Sequence, residues 1–355
     1  MRTLILAFGI AIVVSGLSTV PIRWMLLWLG ALDRPNERSS HLIPTPRGGG
    51  LAMLMGTAAA IVWLLPLTPE ILCLVPAIAA VAGVSFLDDF HSLSFKTRLA
   101  VQTAAAAAVV FTLDVPVRTL GLPGLEPFLP RSVGIALAIL FIVAICNFYN
   151  FMDGINGLVA GQSALVAATL SLLLSTSGCE GAALVAAAVC GAAAGFLPHN
   201  FPAARIFMGD VGSVSLGFAL ATLSQVAHAR GGVNWTAVIL VHAAFLLDAV
   251  FTLLKRTWRG EAIVQPHREH SYQLLVRSGW PHATVTILVL FLSAGSCAAA
   301  CISARVDAWA QWITILGPVA GFAGYAVLAH ARGTSAGSGR IPVPTVTGTT
   351  GGSYD

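Results

Sequence analysis

Long stretches of apolar residues, separated by short polar segments, make up most of this sequence. A helix that crosses the hydrocarbon core of a bilayer needs about 20 consecutive, mainly apolar residues. Eleven runs approach that length, and they cover residues 3–22, 51–67, 70–87, 98–114, 132–147, 158–175, 181–197, 211–229, 235–254, 284–304 and 309–330. The pattern predicts an all-α polytopic integral membrane protein with about eleven transmembrane helices, and ten is the alternative count.

The composition supports a membrane protein and leaves little room for a separate soluble domain. The 355 residues are 57% hydrophobic and 10% charged, whereas an ordinary soluble domain is about one quarter charged. We expect a single multi-pass domain over residues 1–332. The first apolar run is interpreted as a retained helix rather than a cleaved signal peptide. Residues 333–355, rich in Gly, Ser, Thr and Pro, are predicted to form a disordered cytoplasmic tail.

The polar residues divide unequally between the two ends of the predicted bundle. The odd-numbered connections hold most of the Lys and Arg residues, and these connections are 31–50, 88–97, 148–157, 198–210 and 255–283. The positive-inside rule therefore makes them cytoplasmic. The dense clusters of Asp, Asn and His lie in the same connections, whereas scattered loop charges are the alternative. We expect these five cytoplasmic loops to form one active site.

Two carboxylates end the third apolar run. Asp88 and Asp89 lie at the membrane edge, where a carboxylate is costly and usually functional. Adjacent aspartates can share a divalent cation or act as acid and base. Lys96 follows a short loop later and is a natural partner for phosphate. A solvated helix end is the alternative interpretation.

Amides and further carboxylates follow in two more loops. If the fifth helix continues through "NFYNFMDG", Asn147, Asn150 and Asp153 share one face within an arc of about 120°; a polar turn is the alternative. Asp210 directly precedes an apolar run between Gly209 and Gly212. Spacing alone does not separate a helix-capping Asp210 from a metal-binding one.

The first and last cytoplasmic loops add groups suited to anions. Gly48, Gly49 and Gly50 would open a helix with accessible N–H groups, and a flexible turn is the alternative. The stretch "QPHREHSYQLL" places three nitrogen-bearing side chains, His267, Arg268 and His270, within four residues. An arginine such as Arg268 can bind a diphosphate bidentately. A zinc site is disfavoured there, because no Cys is near. For Asp248, inside the ninth run, a functional role and hydrogen-bonded packing are both open.

These residue types together point to Mg²⁺ chemistry on a diphosphate. Mg²⁺ prefers few carboxylates, water and substrate phosphates as ligands. We infer a metal-assisted reaction on a soluble diphosphate at the cytoplasmic face, with a lipid partner arriving from the bilayer. A transporter or channel is the competing class, but it would need polar residues along its helices, where this chain has only Asp248 and a few hydroxyls and histidines.

Five motifs, in order and on one face, resemble those of the polyprenyl-phosphate N-acetylhexosamine-1-phosphate transferases. They are "RPNERSSHLIPTPRGGG", "LDDFHSLSFKTRLAVQ", "NFYNFMDGINGLVAGQ", "IFMGDVGSVSLG" and "HREHSYQLL". The peptidoglycan phospho-N-acetylmuramoyl-pentapeptide transferase has consecutive histidines in its last cytoplasmic loop, where this chain has "PHREH". The sequence is therefore more similar to the branch that initiates O-antigen synthesis.

The resemblance implies transfer of a sugar-1-phosphate from a UDP-N-acetylhexosamine to undecaprenyl phosphate in a bacterial inner membrane, with release of UMP. UDP-N-acetylglucosamine, N-acetylfucosamine and N-acetylquinovosamine are all open as donors. A homodimer is also open, and no nucleic-acid partner is expected. The implied cofactor is Mg²⁺, with Mn²⁺ as the alternative.

The resemblance also assigns roles to residues of this chain. The implied metal ligands are Asn150 and Asp210. Catalytic roles fall to Asp88, Asp89, Asp153 and Asp210, with the Asp88–Asp89 pair acting on the lipid phosphate. The implied substrate-binding residues are Arg47, Lys96, Asn147, Asn156, Asn200, His267, Arg268 and His270.

Overall fold

The computed structural model describes residues 1–35, 43–64, 69–91, 93–119, 123, 128–262 and 267–337. Within these ranges the chain forms thirteen helices and a two-stranded antiparallel ladder. In order they are α1 (Arg2–Trp28), β1 (Leu32–Asp33), β2 (Thr45–Pro46), α2 (Gly50–Leu64), α3 (Pro69–His91), α4 (Phe95–Leu113), α5 (Arg131–Phe151), α6 (Leu158–Thr176), α7 (Glu180–Asn200), α8 (Asp210–Ala229), α9 (Trp235–Val241), α10 (Ala243–Trp258), α11 (Ser271–Arg277), α12 (His282–Ser303) and α13 (Ala308–Gly337).

Several predictions fall partly outside the described residues. The structure does not describe residues 36–42 of the first motif, residues 65–67 of the second apolar run, Ser92 of the second motif, residues 263–266 of the last connection or the predicted tail from residue 338 onward.

In the part of the chain that the structure describes, the eleven apolar runs lie on helices, so the prediction of an all-α polytopic membrane protein is confirmed. By length and composition, eight of the described helices could cross a membrane. The ninth run, expected as one helix, instead forms α9 and α10, bent by 81° at a break around His242. At this break an imidazole nitrogen of His242 lies 3.0 Å from Ser224 Oγ. Counting the bent pair as one span gives up to nine spans.

Helix α8 forms the centre of the bundle. All its residues from Asp210 to His228 are buried, and α2, α3, α5 and α6 pack around it. Small residues permit close approach: a Cβ on Gly50 would lie 2.3 Å from Gly212 Cα. Close contacts at small residues are a usual way to hold membrane helices together. The N-terminus of α8, with Asp210, is therefore held firmly by its neighbours.

The connections gather at two opposite ends of the bundle. The described parts of the odd-numbered connections meet at what we call the site end, and those of the even-numbered connections lie at the far end. Far-end contacts include an Arg131–Asp114 ion pair at 2.9 Å and a hydrogen bond of 2.7 Å from Asn234 Nδ2 to the Ser303 carbonyl. Site-end contacts join all five odd-numbered connections, through the pairs Arg47–Asp89, Asp89–Asp210, Asn156–Pro202 and Phe151–Tyr272. That these connections form one active site stays a prediction.

Candidate active site

The turn between α3 and α4 places a carboxylate beside a guanidinium. Ser94 caps α4 by accepting a hydrogen bond from the Thr97 N–H at 3.1 Å. The carboxylate of Asp88 accepts hydrogen bonds from the Leu93 N–H and from Arg98, both at 2.6 Å. Capping starts α4 at a fixed residue, so Arg98, one turn further on, is directed at Asp88.

Asp89 caps a different helix from its own. Its two oxygens accept the N–H groups of Asp210 and Val211 at 3.0 and 3.2 Å. The first N–H groups of a helix have no partner within it, and its N-terminus favours negative charge. The N-cap position of α8 is Gly209, with φ +71°. The capping alternative for Asp210 is therefore wrong, because Asp89 supplies the cap.

The carboxylate of Asp210 lies between two arginines. Arg47 pairs with Oδ1 of Asp210, and Arg98 Nη1 lies 3.2 Å from Oδ2. Arg47 Nε also lies 2.9 Å from Asp89 Oδ1. We call Arg47, Asp88, Asp89, Arg98 and Asp210 the arginine–aspartate cluster.

The carboxylates of this cluster are largely buried, whereas its two arginines are partly exposed to water. The Asp89 side chain is only 2% exposed and that of Arg47 is 38% exposed. Burial acts to lower the pKa of Arg47, but Asp210 and Asp89 outweigh it and raise that pKa above its usual value. Arg47 therefore stays charged and provides a fixed positive group for an anion.

Arg98 is a site residue that the sequence analysis missed, because it counted only as a loop charge. Arg98 and Gln102 are four residues apart and share one face of α4. Gln102 Oε1 accepts a hydrogen bond of 2.8 Å from Asn147. This i, i+4 polar pair, near Asp88 in the chain, is the signal that could have identified Arg98.

The amides of α5 turn toward α4 and α8. Asn150 donates to Ser213 Oγ, at 3.2 Å, in the first turn of α8. The helix ends at Phe151, so Asp153 lies in the following turn and not on a continued helix face as expected. Removal from water raises the pKa of Asp153 to about 7, although nearby Arg47 acts to lower it. Asp153 is thus electrostatically coupled to the arginine–aspartate cluster.

The side-chain oxygens of Asn150, Asp153 and Asp210 suit Mg²⁺ better than a metal whose ligands must all come from the protein. Among the described residues, no group of three or more His, Cys, Asp or Glu side chains could hold a metal ion. The Asn150 side-chain nitrogen donates to Ser213, in the same turn of α8 as Asp210, and the side-chain oxygen of Asn150 is left available as a ligand. Few protein ligands, with water and substrate phosphates completing the shell, are usual for Mg²⁺.

Two asparagines join the loops of the site end. Asn200 accepts the Gly157 N–H at 2.7 Å and donates to the Ile206 carbonyl at 2.9 Å. Asn156 donates to the Pro202 carbonyl at 3.1 Å. These bonds hold the segment after α5 against the segment before α8. The structure gives Asn200 a positioning role, and substrate contact by Asn156 and Asn200 stays a prediction.

The three glycines do not offer the expected anion site. The N–H groups of Gly48 and Gly49 donate to the Phe207 carbonyl at 3.1 and 2.9 Å, and that of Gly50 donates to the Met208 carbonyl at 2.8 Å. The expectation of accessible N–H groups is therefore wrong, because the backbone before α8 uses them. The glycines instead allow this backbone to approach closely.

The last loop forms a separate group of side chains. The ring centroids of His267 and His270 lie 4.9 Å apart. Buried Arg256 lies 3.0 Å from Glu269, which also pairs with Arg259. We call Arg256, Arg259, His267, Glu269 and His270 the histidine cluster. Of the other predicted residues, Arg268 lies between the two histidines in the chain, and Lys96 is exposed in the first turn of α4.

His267 is a neutral side chain near pH 7. Burial, followed by the charges of His270 and Arg256, lowers the pKa of His267 to about 4. An imidazole with this pKa can accept or donate a hydrogen bond but does not supply a positive charge to a diphosphate. A cation in this loop must therefore come from a residue other than His267, such as Arg256 or Arg259.

Asp248 supports this loop from inside the bundle. Its Oδ1 accepts the Ser271 N–H, at the start of α11, at 2.9 Å. Of the two interpretations left open for Asp248, a functional role and hydrogen-bonded packing, the structure shows the hydrogen-bonded packing.

Comparison with known proteins places the chain in a family. Residues 71–228 match Glycosyl transferase family 4. The chain is 32% identical to a decaprenyl-phosphate N-acetylglucosaminephosphotransferase of Mycobacterium tuberculosis, over 83% of this chain and 81% of the relative. It is 25% identical to the undecaprenyl-phosphate alpha-N-acetylglucosaminyl 1-phosphate transferase of Yersinia pestis, over 82% of each.

A third relative is a phospho-N-acetylmuramoyl-pentapeptide-transferase of Heliobacterium modesticaldum, with 31% identity over 68% of this chain and 78% of the relative. The order of motifs, the all-α membrane fold and these matches agree. The chain belongs to glycosyl transferase family 4, the family of the polyprenyl-phosphate N-acetylhexosamine-1-phosphate transferases.

Proposed function

We propose that the protein transfers N-acetylhexosamine-1-phosphate from a UDP-sugar to undecaprenyl phosphate and releases UMP. The observation that carries this proposal is the position of Asp210, at the N-terminus of a buried helix between Arg47 and Arg98. A carboxylate between two arginines, beside the amide of Asn150, suits a metal bound to phosphates. In our proposal the site end faces the cytoplasm of a bacterial inner membrane, in agreement with the positive-inside rule.

The reaction joins two anions, so charge neutralisation should dominate catalysis. An oxygen of the lipid phosphate attacks the sugar-bearing phosphorus of the UDP-sugar, and the bond from that phosphorus to the bridging oxygen breaks, with UMP leaving. Mg²⁺, held by Asp210 and Asn150 with Asp153 nearby, would neutralise phosphate charge. Arg47 and Arg98 would bind phosphate oxygens as their contacts with the aspartates loosen.

The roles of the two adjacent aspartates differ in this proposal. Asp89 acts as a positioning residue, because both its oxygens cap α8. Asp88 orients Arg98 and is the carboxylate closer to an incoming lipid phosphate. A phosphate monoester with a second pKa of about 6 is largely ionised at neutral pH, so direct attack needs at most one base. We favour direct attack over a covalent phosphosugar intermediate on an aspartate.

The relatives guide the choice of sugar. Two of them carry N-acetylglucosamine in their names, so UDP-N-acetylglucosamine is our first candidate donor, for initiating O-antigen or another surface polysaccharide. The 6-deoxy sugars N-acetylfucosamine and N-acetylquinovosamine come next. The match to a muramoyl-pentapeptide transferase makes UDP-N-acetylmuramoyl-pentapeptide a necessary comparison, although the last loop lacks consecutive histidines.

The test is a direct assay of the purified protein. Detergent-solubilised protein is incubated with undecaprenyl phosphate, Mg²⁺ or Mn²⁺, and each of these UDP-sugars, and UMP release is measured. We expect UMP only when lipid, metal and one N-acetylhexosamine donor are all present. Absence of UMP with every donor, from protein that remains monodisperse and folded, would contradict the proposal. Exchange of labelled UMP into UDP-sugar without lipid would favour the covalent route.

A further inference from the structure

Hydrogen bonds attach the short helix α11 to two other helices, α10 and α5. Its first residue, Ser271, donates its N–H to Asp248 Oδ1 in α10. The next residue, Tyr272, donates its hydroxyl to the Phe151 carbonyl at 3.0 Å. Gln273 Oε1 accepts the His270 N–H at 3.3 Å and so completes the turn. Two consecutive residues, Ser271 and Tyr272, therefore connect the histidine cluster to α10 and α5.

The Tyr272 contact reaches the metal-binding side of the site. Phe151 is the last residue of α5, between Asn150 and Asp153 in the chain. The Tyr272 side chain is fully buried and fits against Gly154, where an added Cβ would lie 2.2 Å from the tyrosine hydroxyl. The position of Tyr272 thus determines how closely the last loop approaches the Asn150–Asp153 segment.

Asp248 is the buried end of this connection. It is 0% exposed within an apolar helix, where an ionisable residue is costly unless it serves a purpose. Its Oδ1 accepts the Ser271 N–H and lies 3.7 Å from His270 Nδ1. Within the described part of the chain, its Oδ2 has no hydrogen-bond partner. A carboxylate accepts hydrogen bonds more strongly than an amide, which gives a reason for aspartate at this position.

We propose that Asp248 and Tyr272 are positioning residues that link the histidine cluster to the Asn150–Asp153 segment. Neither would touch the substrate, and they would act by setting the distance between the two groups of side chains that contact it. This inference rests on the proposed function, because it assumes that both groups hold one UDP-sugar. Misplacing reacting groups by about 1 Å can cost 10²-fold in rate, so a buried hydrogen bond at this junction affects turnover.

The kinetic test is Tyr272→Phe, which removes only the hydroxyl. A buried hydrogen bond of about 1 kcal/mol corresponds to roughly a five- to tenfold fall in kcat. We expect the KM for UDP-sugar to change by less than about twofold, because the lost interaction acts on geometry and not on uniform binding. The matched control is Ser171→Ala, since the Ser171 hydroxyl is also buried and donates a hydrogen bond of 2.9 Å to the Ala183 carbonyl, between α6 and α7. Unchanged kcat in Tyr272→Phe, or an equal loss in Ser171→Ala, would overturn the proposal.

A second measurement tests the linkage without catalysis. Hydrogen–deuterium exchange is followed in peptides covering residues 151–157 and 268–277 for the wild type, Tyr272→Phe and Asp248→Asn. A linked structure predicts faster exchange in both segments for each variant, and little further change in the double variant. Faster exchange in residues 268–277 alone for Asp248→Asn would overturn the linkage. Since UMP release by the wild type tests the proposed function separately, failure of one proposal is distinguishable from failure of the other.

Discussion

The two charged regions of the site end are built differently. In the arginine–aspartate cluster, each ion pair joins residues from different segments: Arg47 precedes α2, Arg98 lies in α4 and Asp210 begins α8. In the histidine cluster, the ion pairs of Arg256 and Arg259 with Glu261 and Glu269 lie within one connection and the adjoining end of α10. The first arrangement fixes helices relative to one another, and the second shapes a single loop.

This difference in structure implies different functions for the two clusters. Three carboxylates and two guanidinium groups stand close together in the first cluster, so a metal and a diphosphate could enter by exchanging partners with them. The second cluster keeps His267 neutral and its arginines occupied by glutamates. We therefore expect the first to determine whether the reaction occurs and the second to determine how well the substrate is placed.

The largest expected effect is that of Asp210→Asn, which tests the first cluster at its centre. If the proposed function is right, loss of this carboxylate should lower Mg²⁺-dependent turnover by about 10³-fold, because the charged ligand that we propose for the metal is replaced by a neutral amide. UMP release and Mn²⁺ binding by electron paramagnetic resonance measure the two consequences. Folding is checked by the thermal unfolding midpoint in detergent. Near-normal activity and Mn²⁺ binding would show that Asp210 serves only to hold the arginines.

The next effect is that of Arg98→Gln, which removes the contacts with Asp88 and Asp210. We expect a fall of about 100-fold in kcat/KM, since a charge that binds the transferred phosphate is lost. Arg98→Lys should recover part of the activity, because lysine restores the positive charge but lacks the planar guanidinium that can contact two oxygens at once. The matched control is Arg131→Gln at the far end, whose pair with Asp114 is 68% and 53% exposed and should matter little. Equal losses in both glutamine variants would remove the distinction between the two ends.

Neighbouring residues show how much of this arrangement the sequence could predict. The apolar runs identified the helices, because a bilayer imposes length and composition directly. They could not show the break near His242, which follows from packing against α8. Asp88 and Asp89 are adjacent and chemically identical in sequence, yet one orients Arg98 and the other caps α8. The role of Asp89 depends on residues more than 100 positions away, as do the partners of the Gly48 and Gly49 N–H groups. The partner of Asp88 is only ten positions away, but the sequence does not show which of the two aspartates Arg98 contacts.

A smaller effect separates capping from ion pairing at Asp89. Asp89→Ala removes both acceptors and should lower the free energy of unfolding by about 1 kcal/mol, the usual effect of losing a helix cap. Asp89→Asn keeps one acceptor oxygen, but its NH₂ group cannot accept from the second N–H, and it loses the charge that Arg47 contacts. Its stability should therefore lie between those of the wild type and Asp89→Ala. Thermal unfolding in detergent compares the two variants, and UMP release shows the cost of the lost charge. Equal losses of stability would mean that one capping hydrogen bond alone does not stabilise the N-terminus of α8.

The smallest effect concerns the histidine cluster and depends on pH. Because the pKa of His267 is about 4 in the folded protein and about 6.5 in an unfolded chain, the unfolded state binds more protons between these values. The stability that this neutral histidine provides is therefore complete above pH 6.5 and is lost as the pH falls toward 4. The glutamine in His267→Gln cannot be protonated. When the pH is lowered from 7.5 to 5, the thermal unfolding midpoint of this variant should therefore fall less than that of the wild type. Parallel pH profiles for the two proteins would mean that folding leaves the pKa of His267 near its usual value, so that this side chain becomes charged below about pH 6.5 and can then present a cation to the diphosphate.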